Sequence, residues 1–230
     1  MKKRVLILSN RDWNKELHNQ IQNKLRIPVI LISSREDLEY NKIKEFDPSL
    51  IIAVHWSYKI PGNIWKKWLT IVFHMTDLPY GRGGSPLQNL IARGKEETTI
   101  TAIECKEKID SGDIYLKKNL SLFGSAEEIY IRANKIIYKM IIELLTSEII
   151  PKPQVGEAVF FKRRDKNDSN LLNCQCSNLD QWYDLIRMLD ADGYPHAYLE
   201  INGIKLEFRR VSKRTEGLHA DVKITLINKS

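Results

Sequence analysis

A histidine and an aspartate that lie far apart in the chain have the context that best suits proton transfer. His74 ends a short apolar run and enters a loop rich in glycine and proline, and Asp110 begins the turn Asp110–Asp113. An imidazole and a carboxylate that meet at the edge of a sheet can move a proton to or from a reacting group. A histidine after an apolar run is usually structural, and Asp-Ser-Gly-Asp is an ordinary turn, so the prediction depends on the two together.

Alternating short apolar runs and helical patterns predict the elements that would position this pair. Predicted strands cover residues 3–9, 28–33, 50–55, 71–74, 98–103 and 114–120, and predicted helices cover 12–25, 35–46, 61–69, 85–93 and 125–146. This alternation favours right-handed βαβ units, and therefore an α/β fold with a Rossmann-like, mostly parallel sheet and flanking helices. Ligands of such sheets bind outside the carboxyl ends of the strands, where His55 and His74 are expected.

The helix predicted over residues 125–146 has the clearest start signal in the chain. Ser125 is followed three residues later by Glu128, which is the spacing of a capping box. The apolar residues that follow at helical spacing predict a buried stripe, which indicates core packing and not a cofactor site.

The segment Pro151–Pro153 is the best candidate for a boundary. We therefore expect a catalytic core over 1–150 and a small extension over 151–230. The extension is predicted to contain a helix over 179–189 and a β-hairpin, whose strands over 197–201 and 205–210 are joined by Asn202-Gly203, with a last strand over 221–227.

Composition limits the class of protein. The 230 residues suit one domain of ordinary size with an appendage. No apolar stretch is long enough to span a membrane, and the first apolar run is too short for a signal peptide, so a cytoplasmic protein without a membrane partner is expected. Three cysteines with this spacing form a poor zinc site, and we predict free thiols and no metal.

The net charge of +7 suggests an anionic partner without specifying it. Nucleic acid, a nucleotide diphosphate and the glutamate tail of a folate would all be attracted. The densest basic cluster, Lys162–Arg164, is either a solvated face or a phosphate contact.

The residues around His74 and Asp110 resemble the catalytic region of the folate-dependent formyltransferases, which include the methionyl-tRNA and nucleotide-sugar enzymes. The family pattern has Asn-x-His at a strand end, then Leu-Pro, Arg-Gly and a small residue before Pro, and further on Asp-x-Gly. The matching residues here are His74, Leu78-Pro79, Arg82-Gly83, Ser85-Pro86 and Asp110-Ser111-Gly112. The resemblance runs over roughly 5–145, with weaker similarity through 160–210.

This resemblance implies an enzyme that moves the formyl group of 10-formyltetrahydrofolate onto an amine, without a metal. His74 would stabilise the intermediate or act as the base, and Asp110 would orient His74 or relay the proton. The family's asparagine is Val72 here, and Asn89, Gln88, Thr76, His55 and backbone amides remain alternatives for the missing donor.

The folate pocket implied by the resemblance is lined by the loops His55–Ile60 and Lys108–Asp113. Trp56 would form an aromatic wall or pack in the interior. The predicted cofactor-binding residues are His55, Trp56, Tyr58, Ile60, Ser111 and Asp113.

The tail has only about 80 residues after position 150, fewer than in the tRNA enzymes, which favours the nucleotide-sugar enzymes. The segments 9–14 and 73–84 resemble one subgroup of these enzymes. This resemblance implies as acceptor a nucleotide-linked, UDP-type 4-amino-4,6-dideoxy sugar of pseudaminic-acid-type surface-glycan biosynthesis, with Arg82 at its diphosphate. Asp77 would attract the substrate ammonium or cap its turn. The predicted substrate-binding residues are Asn10, Arg11, Trp13, Thr76, Asp77, Arg82, Gly84, Gln88 and Asn89.

Other functions remain open at this point. The chain could formylate an aminoacyl group on tRNA or on a carrier protein, or it could be a non-catalytic module that binds folate or a nucleotide sugar. A nucleic-acid partner is not expected, and a homodimer is one option because members of the family often dimerise.

Overall fold

The computed structural model describes residues 3–227 and divides the chain into two compact units. The first unit contains the described residues up to Arg82, with Thr99–Asn119 and Ala133–Val159. The second contains Gly83–Thr98, Leu120–Arg132 and the described residues from Phe160 onward. The predicted division into 1–150 and 151–230 stays a prediction.

The first unit is built on a six-stranded sheet. Its strands are β1 (Val5–Leu8), β2 (Val29–Ile32), β3 (Leu50–Ala53), β4 (Thr70–His74), β6 (Glu97–Glu104) and β7 (Ile114–Ser121). They lie in the order β2-β1-β3-β4-β6-β7, in which the first four strands pair in parallel and β4 pairs antiparallel with β6. The predicted α/β fold with a mostly parallel sheet is therefore confirmed.

Central strands of this sheet read as continuous apolar runs because both of their faces are covered. All four residues of β1 and all four of β3 are buried. Since β1, β3 and β4 are parallel, the residues that follow them leave the sheet at the same edge. Asn10, His55 and His74 are placed at that edge.

Helices flank the sheet as expected, but two begin later than the sequence predicts. Where one helix over 12–25 is expected, a 3₁₀ turn at Asp12–Asn14 comes first, because the buried Asn14 side chain donates to Ser9 Oγ at 2.9 Å. The helix expected over 35–46 begins only at Tyr40. The helices are α1 (Leu17–Leu25), α2 (Tyr40–Phe46), α3 (Gly62–Trp65) and α5 (Ala126–Thr146).

The capping box of α5 is confirmed. Glu128 N–H donates to Ser125 Oγ at 3.3 Å, and Ser125 N–H donates to Glu128 Oε2 at 2.8 Å. The two side chains therefore satisfy two backbone donors that would otherwise have no partner at the helix start.

A short two-stranded sheet was not expected. It pairs β5 (Tyr80–Gly83) with β8 (Val159–Phe161), where the sequence predicts only a loop and a linker. Gly83 has φ of 106°, and a Cβ there would lie 2.5 Å from Phe161 O. The glycines that allow this close pairing also remove the apolar alternation by which a strand is recognised.

The second unit contains α4 (Pro86–Ile91), α6 (Leu179–Arg187) and a three-stranded antiparallel sheet. The predicted hairpin is confirmed, with positive φ at Asn202 and Gly203, as its tight turn requires. Two strands are longer than predicted: β10 runs on past a register shift, and β11 begins at Gly217. The strands are β9 (Ala197–Ile201), β10 (Ile204–Arg214) and β11 (Gly217–Leu226).

Candidate active site

His74 ends β4 with its imidazole buried and its protonation pattern fixed by a backbone group. Nε2 lies 2.8 Å from Gly81 O, a carbonyl oxygen that can only accept. Nε2 must therefore carry a proton, and in the neutral ring Nδ1 carries the lone pair.

Asp110 faces that second nitrogen. Its Oδ2 lies 3.6 Å from His74 Nδ1, and the two side chains are 14% and 8% exposed. The carboxylate therefore lies where it can interact with a positive charge on the imidazole. The structure thus brings together the two side chains on which the sequence prediction depends, and their catalytic roles stay predictions.

Thr76 and Asp77 support the loop after β4 in different ways. The buried Thr76 hydroxyl donates to Gly81 O at 3.3 Å, and Thr101 Oγ1 donates to Thr76 O at 2.6 Å. The exposed Asp77 carboxylate pairs with Lys117 Nζ at 2.5 Å. Lys117 is therefore a competing cation for Asp77, whose predicted attraction of a substrate ammonium stays a prediction.

Arg82, the predicted diphosphate ligand, binds a glutamine. Its Nε and Nη2 donate to Gln154 Oε1 at 3.2 and 2.7 Å. Gln154 Nε2 in turn donates to Asp110 O at 2.8 Å and to Gly112 O at 2.9 Å. Gln154 carries no sequence signal that marks it as part of the site, because it follows Pro153 in a segment that reads as a linker.

His55 follows β3 and belongs to a row of rings and charges. Its Nε2–H donates to Asn134 Oδ1 at 3.1 Å. The Trp13 ring meets the His55 ring edge-on at 6.3 Å, and the Arg11 guanidinium lies 5.6 Å from the Trp13 ring centroid. Burial of the imidazole, with a smaller contribution from the Arg11 charge, lowers the pKa of His55 to about 4.

The lowered pKa of His55 predicts a loss of stability in acid. The unfolded chain binds this proton below about pH 6.5, but the folded chain binds it only near pH 4, so stability falls as the pH drops through that interval. The contribution is roughly 3 kcal/mol. In urea unfolding at a series of pH values, His55→Gln should flatten this part of the profile, since the glutamine amide can still donate to Asn134.

The control for this prediction is His219→Gln, which alters an exposed histidine paired with Glu216 at 3.0 Å. This variant should keep the acid dependence of the wild type. If His55→Gln keeps it as well, the pKa of His55 is not depressed by burial.

The loops that follow β3 and β6 both pack on one buried apolar cluster, which includes residues of β1 and β3. Trp56 and Cys105 both pack against it, and Ile60 belongs to it with 6% exposure. Burial, followed by the charges of Asp110 and Glu104, raises the pKa of the Cys105 thiol to about 11. These two loops are the ones predicted to hold folate.

Within these loops the side chains take different places. The Trp56 and Tyr58 rings stand edge to face at 5.2 Å, and Tyr58 is 42% exposed. Trp56 Nε1 is buried without a hydrogen-bond partner in residues 3–227. A flat ligand with acceptor groups, such as a pterin, fits an aromatic face beside an unused donor.

Three further predicted residues serve the backbone of these loops. Asn10 Oδ1 accepts from Ser57 N–H at 3.1 Å, Ser111 Oγ donates to Lys108 O at 2.8 Å, and Asp113 O accepts from Glu104 N–H at 3.0 Å. These contacts hold the loops in shape, and direct contacts of these residues with a ligand stay predictions.

Gly84, Gln88 and Asn89 lie in the second unit and are engaged there. The buried Gln88 amide donates to Met188 O at 3.1 Å. The Asn89 amide donates to Gly84 O, Ser85 O and Lys162 O at 3.0–3.1 Å. These amides donate to backbone carbonyls of the second unit, and their predicted contacts with substrate stay predictions.

Val72, which replaces the family's asparagine, lies in β4 and packs partly buried against the apolar cluster of the first unit.

Residues 3–227 contain no group of three or more histidine, cysteine or acidic side chains that could hold a metal ion. Across the same residues, every helix is too short or too polar to cross a membrane.

The part of the chain that contains this sheet matches the profile of a known enzyme family. The Formyl transferase profile matches residues 3–145, and the chain belongs to this family. A second profile, for the C-terminal domain of methionyl-tRNA formyltransferase, matches residues 166–225. The prediction of a formyltransferase is confirmed at this level, and membership supports the predicted 10-formyltetrahydrofolate.

Individual relatives indicate which kind of formyltransferase the chain is similar to. A solved methionyl-tRNA formyltransferase from Clostridium thermocellum is 41% identical, with a TM-score of 0.93, over 97% of this chain and 99% of that one. The methionyl-tRNA formyltransferase of Bacillus cytotoxicus is 30% identical over 77% of this chain and 58% of its own length. The chain spans between 55% and 62% of the length of the curated methionyl-tRNA formyltransferases that it matches.

These relatives correct the predicted acceptor. The prediction of a nucleotide-linked amino sugar is wrong, because the curated relatives and the Clostridium protein are methionyl-tRNA formyltransferases. A sugar N-formyltransferase from Shewanella is 19% identical with a TM-score of 0.67, which shows the fold alone. The pseudaminic-acid and surface-glycan assignments lose their support, and so does the expectation that nucleic acid is not a partner.

The prediction of a sugar acceptor depends on the short tail and on the resemblance of segments 9–14 and 73–84. The solved Clostridium chain is covered over 99% of its length, so a tail of this size also occurs in a solved methionyl-tRNA formyltransferase chain. Tail length therefore does not distinguish the two acceptors.

Proposed function

We propose that this chain transfers the formyl group of 10-formyltetrahydrofolate to the amino group of an aminoacyl-tRNA, with methionyl-tRNA as the first substrate to test. The observation that carries the proposal is the buried contact of 3.6 Å between His74 Nδ1 and the Asp110 carboxylate. The 41% identity with the Clostridium methionyl-tRNA formyltransferase supports the choice of acceptor.

The amine that attacks a formyl group must lose a proton, and this pair is arranged to receive it. Because Gly81 O keeps the Nε2 proton in place, His74 can accept only at Nδ1. The imidazolium that results faces the Asp110 carboxylate, which stabilises the positive charge in a site with little water. Asp110 would thus stabilise the positive charge that His74 gains during the transfer.

The folate would be held by the loops that follow β3 and β6. 10-Formyltetrahydrofolate supplies the formyl group when it is bound. The Trp56 and Tyr58 rings offer an aromatic face, and Trp56 Nε1 offers a donor. Backbone groups of Lys108–Asp113 would supply the other polar contacts.

A tRNA also needs cations for its phosphates. In the second unit, the backbone of Lys162–Arg164 is tied down by Asn89 Nδ2, which donates to Lys162 O, and by Ser85 Oγ, which accepts from Arg164 N–H. The side chains of Lys162 and Arg163 remain exposed. Exposed cations on a fixed backbone suit a sugar-phosphate chain, and binding through them weakens as salt rises.

The proposal is tested by incubating purified protein with 10-formyltetrahydrofolate and methionyl-tRNA that carries radiolabelled methionine. We expect formylmethionine after alkaline release of the amino acid, at a rate that falls as the salt concentration is raised. Free methionine at the same concentration should remain unmodified, because it lacks the phosphates that hold the tRNA. The absence of formylmethionine, with tetrahydrofolate binding intact in the same preparation, would overturn the choice of acceptor.

A further inference from the structure

We propose that Gln154 is a positioning residue that sets the geometry between His74 and Asp110, and that it does so through both Asp110 and Arg82. The inference rests on the proposed function for its kinetic test, and it deepens that function by adding a residue from outside the recognisable motif.

The orientation of the Gln154 amide is fixed by its partners. A guanidinium only donates, so the oxygen must face Arg82, and carbonyls only accept, so the nitrogen must face Asp110 and Gly112. Each half of the amide makes two contacts, at 2.7–3.2 Å on the oxygen and at 2.8–2.9 Å on the nitrogen. A side chain that uses all of its hydrogen-bonding groups in one orientation is a rigid connector.

These contacts close a circuit around the catalytic pair. His74 Nε2–H donates to Gly81 O, and Gly81 precedes Arg82 in β5. Arg82 donates to Gln154, which donates to the backbone of Asp110, whose carboxylate faces His74 Nδ1. The circuit reaches both ring nitrogens of His74, so a shift of Gln154 changes the distance between the imidazole and the carboxylate.

The Asp110 turn needs such support because its backbone is strained. Asp110 has φ of 52°, a conformation that costs a residue with a side chain about 1 kcal/mol or more. Gln154 holds the carbonyl of Asp110 and the carbonyl two residues later. Its own backbone is anchored two residues earlier, where Lys152 exchanges two hydrogen bonds with Ile114 at 2.7 and 2.9 Å.

Two substitutions separate the hydrogen bonds that Gln154 makes with Arg82 from those that it makes with the Asp110 turn. Gln154→Glu keeps an oxygen for Arg82 and replaces the donor to the Asp110 turn with a repelling oxygen, and Gln154→Leu removes both sets of hydrogen bonds at similar volume. We expect each to lower kcat about 10- to 100-fold, because a displacement of about 1 Å between reacting groups costs that much. KM for tRNA should stay within about threefold of the wild type, since neither substitution alters the exposed cations Lys162 and Arg163.

The matched control is Gln20→Glu, which makes the same change at an exposed position of α1. It should leave kcat and KM unchanged. The proposal is overturned if Gln154→Glu retains the wild-type kcat, or if its kcat falls only in proportion to the folded fraction measured by circular dichroism.

A second measurement needs no activity. The imidazole ¹⁵N spectrum of His74, recorded in the protein without substrates, reports the proton on Nε2 and the partner of Nδ1. We expect Gln154→Leu to change the Nδ1 signal and Gln20→Glu to leave it unchanged. Identical spectra for Gln154→Leu and the wild type would end the positioning role, whereas a wild type that fails to formylate tRNA would end only the proposed function.

Discussion

His74→Ala and Asp110→Ala should each lower the rate of formyl transfer by about 10²- to 10⁴-fold, which is the range that a positioned acid or base contributes. His74→Ala removes the only ring lone pair that Gly81 leaves available, and Asp110→Ala removes the charge that stabilises the protonated ring. The two side chains act on one proton. The double variant should therefore lose about as much activity as the worse of the two single variants.

The measurement is single-turnover formylation of methionyl-tRNA, with the folded state checked by thermal unfolding. His219→Ala is the matched control, since it removes an imidazole that faces a carboxylate, Glu216, on the exposed surface. It should retain wild-type turnover. Full activity in either site variant would remove that residue from the mechanism, and additive losses in the double variant would show that the two act in separate steps.

The sheet and the meeting of His74 with Asp110 could be predicted because both follow from local rules. Residues of β1 and β3 form unbroken apolar runs, which require cover on both faces and hence a parallel sheet. Parallel strands end at a common edge, so a histidine that follows β4 must lie there. The partner of His74 is predicted to be Asp110, because Asp110-Ser111-Gly112 resembles the Asp-x-Gly pattern of the formyltransferases.

The hydrogen bonds that connect His74 and Asp110 through Gln154 could not be predicted from the sequence, and the reason is physical. Gln154 acts through contacts between segments that are distant in the chain, and a glutamine after two prolines has no periodicity to reveal it. The β5–β8 pairing has no sequence signal either, because Gly81 and Gly83 stand where apolar side chains would indicate a strand. The Gly81 and Gly112 carbonyls accept hydrogen bonds from His74 and Gln154, and a pattern of side chains carries no information about such backbone contacts.

The acceptor could not be predicted from the sequence. Neither the short tail nor the resemblance of segments 9–14 and 73–84 identifies the contacts that an acceptor makes away from the formyl group. From the sequence, the basic segment Lys162–Arg164 is either a solvated face or a phosphate contact. Its anchoring by Asn89 and Ser85 is a structural observation that favours the phosphate contact.

Gly112→Ala should destabilise the protein by about 3 kcal/mol and abolish formyl transfer. A Cβ at this position would lie 1.8 Å from Glu104 O and 2.7 Å from its carbonyl carbon, both backbone atoms at the end of β6. The methyl group cannot be accommodated by a side-chain rotation, so the Asp110 turn or the end of the strand must move, and overpacking of this kind typically costs 1–3 kcal/mol. The displaced turn would carry the Asp110 carboxylate away from His74.

The comparison that isolates this effect is Gly62→Ala, where the added methyl group would meet its nearest neighbours at 3.9 Å, an ordinary contact distance, at the start of α3. Both substitutions restrict the unfolded chain equally, so the difference between their urea midpoints reports the clash itself. Gly62→Ala should be neutral or slightly stabilising, with wild-type turnover. If Gly112→Ala matches it in both midpoint and turnover, the Asp110 turn has room to shift, and the close packing of that turn against β6 does not hold the carboxylate in place.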